Sequence, residues 1–389
     1  MPIRLRGHSW LWALPLLLLA AGTAATWAFD LDLRISSNFF DASHPKGWPL
    51  GRLAPTRFLY DWGEVPAVLL GMSSCIMIAW AARRRPAIGL KRAGLTILLA
   101  LMLGPLLLTN GVFKSFYGRP RPVQVQEFRG ERAFQPVLVP TFSTKENSFP
   151  SGHAAAGFAL ILPFFVLRKR RPVWAYAALG GGLAWGGVMG SVRIIQGGHF
   201  LSDVLWAAGV VYFSGYAVSS WMESRALPKS RREARWSGRK VLLVRGAALS
   251  MCALIGLIYL ARLPFNQTYE WTVPLAPGVQ QANIELITRE GATAQVVENP
   301  EAKELRVMMT AQGRGLPFDP VNEKETVLRS RNDAPRVRYT FLPTWSTINF
   351  NSRIVVQAPP GVKISIRQPN GAPIPENTAQ EAPESGPDY

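Results

Sequence analysis

Three polar clusters in the sequence carry residue types suited to handling a phosphate group. The first is Lys114-Ser115-Phe116-Tyr117-Gly118-Arg119-Pro120-Arg121-Pro122. A lysine offers a point charge, and a guanidinium offers a planar fork that matches phosphate oxygens. The second is Ser148-Phe149-Pro150-Ser151-Gly152-His153. Pro150 suits the approach to a helix, Ser151 can cap it, and Gly152 lets backbone N–H groups come close to an anion. His153 then stands where it can donate a proton. The third is Arg193-Ile194-Ile195-Gln196-Gly197-Gly198-His199-Phe200-Leu201-Ser202-Asp203. His199 and Asp203 are four apart, a spacing that predicts one shared helix face. A carboxylate there can hold one imidazole N–H, fix the tautomer and leave the other nitrogen to attack. Each cluster also has an ordinary reading: a basic stop at an interface, a simple helix cap, a locally capping aspartate. Only four histidines occur, His8, His44, His153 and His199, and two of them lie in these clusters.

The elements that must position these groups follow from where charge is missing. The chain has 389 residues, 43 Lys+Arg against 25 Asp+Glu, a net charge of +18 and 48% hydrophobic residues. It is too apolar for a disordered basic tail. Its two cysteines, Cys75 and Cys252, lie in apolar runs, which excludes a disulfide-stapled scaffold. Residues 7–29, 65–82, 93–113, 147–167, 172–192, 204–222 and 246–261 contain no Asp, Glu, Lys or Arg. Most of these runs approach the roughly 20 apolar residues that cross a hydrocarbon core. The last reaches that length if it extends back past Arg245 to Val241. The expectation is about seven transmembrane helices in residues 1–262, followed by an extramembrane part.

Basic residues concentrate in alternate connections. One set holds Arg4 and Arg6; Arg83, Arg84, Arg85, Lys91 and Arg92; Arg168, Lys169, Arg170 and Arg171; and Arg225, Lys229, Arg231, Arg232, Arg235, Arg239, Lys240 and Arg245. This set carries nearly all of the net charge, so it is expected to face the cytoplasm. The charge then reads as a topology signal and not as a nucleic-acid footprint. All three polar clusters fall on the opposite, outer face, where positive-inside bias gives no reason for Lys114 or Arg121. The first run also fits a secretory signal, but its length favours a retained helix.

Beyond residue 262 the pattern becomes short alternating segments, such as Asn283–Ile287, Glu304–Met308, Arg336–Phe341, Arg353–Val356 and Val362–Ile366. Gly and Pro punctuate them, so residues 263–369 are expected to form a small all-β domain. Residues 370–389 read as a disordered tail.

Together the three clusters, Lys-x6-Arg-Pro, Pro-Ser-Gly-His and Arg-x5-His-x3-Asp, resemble the type 2 phosphatidic acid phosphatase (PAP2) superfamily over about residues 60–222. The resemblance implies an all-α membrane core and a phosphatase acting on a lipid phosphate. It implies that His199 attacks phosphorus, Asp203 orients His199 and His153 protonates the leaving oxygen. Lys114, Arg121, Ser151, Gly152 and Arg193 would hold the phosphoryl oxygens, with no metal and no cofactor. The sequence departs from the family at Val192, where a serine usually precedes the arginine. Arg119 mimics the motif arginine, but Arg121 has the family spacing. The stretch Gln196–Asp203 is similar to bacterial lipid A phosphatases. The expected substrate is lipid A or another outer-leaflet lipid phosphate, with undecaprenyl diphosphate, phosphatidic acid or phosphatidylglycerophosphate as alternatives. Phosphotransfer to a second lipid is also open. The expected location is the bacterial inner membrane, N-terminus cytoplasmic and β domain periplasmic, with its partner unassigned. A transporter would place polar groups near mid-membrane, and an envelope binding module would act through the β domain.

Overall fold

The computed structural model describes residues 9–44, 47–82, 88–142, 146–225, 238–261, 264–273, 275, 279–288, 293–300, 304–315, 321–328, 336–343 and 347–367. Arg4, Arg6, His8, Arg83, Arg84, Arg85, Lys229, Arg231, Arg232, Arg235 and the tail 370–389 lie outside these residues. The chain divides into two compact units, Met1–Gly256 and Leu257–Tyr389.

The first unit is helical. Its elements are α1 (Trp10–Ala28), α2 (Leu31–Ser37), α3 (Ala54–Trp62), α4 (Val65–Ala81), α5 (Ile88–Leu101), α6 (Lys114–Phe116), α7 (Gly152–Phe158), α8 (Leu162–Leu167), α9 (Pro172–Ile195), α10 (Leu201–Ser224) and α11 (Gly238–Leu260). Six helical stretches among the described residues are long and apolar enough to cross a membrane: Trp10–Ala28, Ala54–Ala81, Gly89–Phe116, Pro172–Ile195, Leu201–Ser224 and Gly238–Leu260. The expected seventh, drawn from the run 147–167, is a shorter apolar helix, Gly152–Leu167. The reason is local: the uncharged residues before Gly152 are non-helical and belong to the second polar cluster. Absence of charge marked the apolar run correctly and overstated the helix.

That short helix is the centre of the bundle. Ala154, Ala155, Phe158, Ile161, Leu162 and Phe164 are buried with Ile194 of α9 and Val204, Ala207 and Val211 of α10. Small residues set the spacing, since a Cβ on Gly157 would lie 2.8 Å from Cα of Gly186 in α9. Outer faces are apolar and exposed, as at Leu17 and Leu18 of α1 and Leu242 and Leu243 of α11. Such faces suit a hydrocarbon solvent. Helix α1 is tied to α10: Tyr212 Oη donates to Leu11 O (2.8 Å), and Trp206 Nε1 to Thr23 Oγ1 (3.1 Å).

The second unit holds eight strands: β1 (Pro264–Val273), β2 (Gln281–Thr288), β3 (Thr293–Glu298), β4 (Leu305–Gly315), β5 (Val321–Leu328), β6 (Arg336–Pro343), β7 (Thr347–Ala358) and β8 (Lys363–Arg367). They form two four-stranded sheets, ordered β1-β4-β7-β3 and β5-β6-β2-β8. Alternation places Val307, Met309 and Ala311 of β4 and Ile354 and Val356 of β7 inside. Ile284 and Leu286 of β2 and Val337 and Tyr339 of β6 fill the same core from the other sheet. The unit is therefore a small β-sandwich; alternation predicted its all-β class, and the two-sheet arrangement comes from the structure.

Candidate active site

Lys114 follows a π-helical stretch, Met102–Phe113, that continues α5. Such irregular turns often occur at functional sites. A Cβ on Gly152 would lie 3.0 Å from Lys114 Nζ and 2.8 Å from Asn110 Oδ1. The missing side chain at Gly152 thus admits the lysine to the first turn of α7. Ser151 is the N-cap of α7, its Oγ accepting from Ala154 N at 3.4 Å. Its own N–H donates to Asp203 O (3.2 Å), which joins the second cluster to the third.

His199 and Asp203 meet, but not on one helix face. Helix α10 begins at Leu201, so His199 sits in the preceding turn. Asp203 reaches back instead, accepting the N–H of Phe200 on Oδ2 at 2.9 Å. That same Oδ2 lies 3.6 Å from His199 Nδ1. The spacing brought the pair together through a capping geometry that the helix-face argument did not contain. Ser148 Oγ donates to Oδ2 at 2.6 Å and lies 3.5 Å from His199 Nδ1. Both partners are almost fully buried.

Burial, reinforced by Arg193 and Lys114, outweighs the attraction of Asp203 and drives the His199 pKa down to about 3. The imidazole is therefore neutral at physiological pH, with a lone pair available. With Nδ1 directed at the carboxylate, Nε2 is the ring nitrogen left with the lone pair.

Cations surround the His199–Asp203 pair: Arg193 and Lys114 act on the imidazole, and Arg121 on the Asp203 carboxylate. Arg193, in the last turn of α9, is buried, bonds to Gln196 Oε1, and packs where a Cβ on Gly198 would clash. Its guanidinium lies over the Tyr60 ring at 4.7 Å. Arg121 Nη2 donates to Asn147 Oδ1 at 2.8 Å, and its Nε is buried without a hydrogen-bond partner. Burial lowers the Arg121 pKa, opposed by Tyr60 and Asp203. Val192, at the family's serine position, is buried, and Ser191 is exposed. No hydroxyl from that position reaches the site.

His153 is held from α3 and its C-terminal edge. Its ring stacks on Tyr60 with centroids 4.6 Å apart, and its Nε2 lies 3.7 Å from Glu64 Oε1. Sequence reasoning missed Tyr60 and Glu64, which lie about 90 residues away with no motif of their own. It also missed Ser148, although the second cluster contained it, and the destination of Arg119. Arg119 is wholly buried and donates from Nη1 to Asp203 Oδ1 at 2.5 Å and to Ser202 Oγ at 2.7 Å. Its Nη2 donates to Asp32 Oδ2 at 2.8 Å. The two guanidiniums of Arg-Pro-Arg thus part: Arg119 goes to Asp203 and Asp32, and Arg121 to Asn147. Among the described residues no group of three His, Cys, Asp or Glu has the arrangement to hold a metal ion.

A neutral imidazole backed by a carboxylate and faced by several cations is an arrangement for phosphoryl transfer, where positioning and charge stabilisation dominate. Set in a bundle of apolar helices, it defines a membrane phosphatase. The comparisons agree. The family described as "PAP2 superfamily" matches residues 93–227. A lipid A 4'-phosphatase of Francisella tularensis subsp. novicida is 40% identical over 202 residues, half of this chain and 86% of that protein. A lipid A 4'-phosphatase of Rhizobium etli is 37% identical over 119 residues, 30% of this chain and 45% of that one. Its Rhizobium leguminosarum namesake is 36% identical over 118 residues, 29% of this chain and 49% of that one. No solved structure matches the chain. The chain belongs to the PAP2 superfamily and is a lipid phosphatase of that type.

Proposed function

We propose that the protein removes a phosphate monoester from lipid A at the outer leaflet of a bacterial inner membrane. The observation that carries the chemistry is His199, neutral and backed by Asp203 and Ser148. The identity to lipid A 4'-phosphatases supports the substrate. In the reaction, His199 Nε2 attacks phosphorus and the P–O bond to the lipid breaks. The leaving oxygen takes a proton from His153. Water then attacks phosphorus, the P–N bond breaks, His153 takes the water's proton, and His199 returns to its neutral form with release of phosphate. Lys114, Arg121, Arg193 and the N–H groups around Ser151 and Gly152 hold the phosphoryl oxygens.

The site's place follows from the charge pattern. With Gly152–Leu167 counted as a seventh crossing, the basic connections share one side and all three clusters share the other. The N-terminus is then cytoplasmic and the β-sandwich periplasmic. The packing of α1 on α10 supports a first segment retained as a working helix. The residues 1–262 and 263–369 act as the catalytic core and an accessory domain. The test is phosphate release by purified protein from a panel of lipid A, undecaprenyl diphosphate, phosphatidic acid and phosphatidylglycerophosphate. Lipid A is expected to be hydrolysed fastest and His199→Ala to be inactive on every lipid. Preference for another lipid overturns the substrate, and activity in His199→Ala overturns the mechanism.

A further inference from the structure

Asp32 lies in α2, far in sequence from every cluster discussed above. It is buried, and its side-chain hydrogen bonds among the described residues run to Ser202 and Arg119, which neighbour the His199–Asp203 pair. Oδ1 accepts the N–H of Ser202 at 2.8 Å. Oδ2 accepts from Ser202 Oγ at 2.6 Å and from Arg119 Nη2 at 2.8 Å. Arg119 carries the connection on to Asp203 Oδ1 through Nη1, and the Phe200 ring lies 4.7 Å from its guanidinium. Gln135 O accepts from Nε at 3.0 Å, which completes the fork.

We propose that Asp32 is a positioning residue of the phosphatase, acting through Arg119 to fix the Asp203 carboxylate so that Oδ2 stays on His199. The inference rests on the assignment of His199 as nucleophile.

Two arguments carry it beyond a simple cross-link. The first is cost. Burying two carboxylates and a guanidinium contributes little or nothing to stability compared with apolar groups of similar shape. A bundle rich in Leu, Phe and Ala had apolar alternatives. The second is geometry. Arg119 alone, bonded to one carboxylate, can pivot about that bond. With Nη2 and Nε pinned by Asp32 and Gln135, the guanidinium plane is set, and with it the orientation of Asp203. Asp32 also balances Arg119, so that Asp203 keeps part of its negative charge for the imidazole as positive charge develops there.

The experiment compares Asp32→Asn with the wild type in detergent micelles, on lipid A and on para-nitrophenyl phosphate, with kcat referred to the monodisperse fraction. The expected result is a kcat more than threefold lower with KM changed less than threefold, because Asp32 touches no substrate. A folded Asp32→Asn protein with a kcat within threefold of wild type overturns the proposal. If Asp32→Asn does not stay monodisperse, Ser202→Ala decides. It keeps both charges but removes the hydroxyl shared by Asp32 and Arg119, and the same kcat criterion applies. His199→Ala in the same assay separates the two readings. Its inactivity beside a fully active Asp32→Asn sinks only the positioning role, whereas its activity sinks the nucleophile.

Discussion

The ring of Tyr60 lies parallel to the imidazole of His153, with centroids 4.6 Å apart and planes 13° from each other. The same ring carries the Arg193 guanidinium at 4.7 Å. One aromatic side chain thus spaces His153, the proposed proton donor, and Arg193, a proposed phosphate-binding cation. A stacked aromatic pair and a cation–π contact are each worth about 1 kcal/mol. Tyr60→Ala is expected to lower kcat/KM roughly tenfold or more, while Tyr60→Phe, which keeps the ring, stays close to wild type. Steady-state kinetics of the two variants check this. Equal losses would mean that the hydroxyl matters and the stack does not.

The motif residues were legible because local spacing fixed them. Pro150-Ser151-Gly152-His153 starts a helix, and Arg193 and Asp203 sit in the turns that flank a tight loop. The β-sandwich was legible because alternation is a period-two signal that survives in short strands. Three things were not. The Gly152–Leu167 helix is shorter than its uncharged run, since an apolar loop and an apolar helix look alike when only charge is counted. Asp203 meets His199 by capping the start of α10, a geometry set by where the helix begins. Asp32, Tyr60 and Glu64 reach the site only through packing of α2, α3 and the turn after it, and no local pattern marks them.

The pH dependence follows from His199. Its pKa is moved from an ordinary 6.5 down to about 3, chiefly by burial. Acidification through pH 6.5 therefore leaves His199, the proposed nucleophile, unprotonated in the free enzyme. An acid limb of kcat/KM in the ordinary imidazole range should not come from His199, so Asp203→Asn should leave its midpoint in place. Stability has the matching sign. Between pH 6.5 and about 3 the unfolded chain binds a proton that the folded chain excludes. Folded-state stability from this group is full above pH 6.5 and declines as pH falls through that window. Thermal denaturation in detergent from pH 7 to 4 measures it.

Gly152 has a steric duty that can be tested alone. A Cβ there would press on Asn110 Oδ1 at 2.8 Å and Lys114 Nζ at 3.0 Å. Gly152→Ala should displace the lysine from the helix start without disturbing the buried apolar core. The expected outcome is weaker competitive inhibition by inorganic phosphate and a lower kcat/KM, with thermal stability near wild type. Unchanged phosphate inhibition would remove Lys114 from the phosphate cradle.

The two arginines of Arg-Pro-Arg should separate by phenotype. Arg119 is enclosed by Asp32, Asp203 and Ser202, so Arg119→Ala leaves two buried carboxylates without their cation. Removing one partner of such a buried set costs about 3–5 kcal/mol, and the variant should lose folded protein as well as activity. Arg121 bonds through its side chain to Asn147 and has a buried Nε without a hydrogen-bond partner. Arg121→Ala should therefore fold with near-normal thermal stability and lose phosphate affinity and rate. Arg121→Lys should recover only part of the loss, because a single ammonium cannot offer the paired donors of a guanidinium. Melting temperatures and KM values for the three variants decide the matter. A stable Arg119→Ala beside an unstable Arg121→Ala would reverse the roles, placing Arg119 on phosphate and Arg121 in the frame.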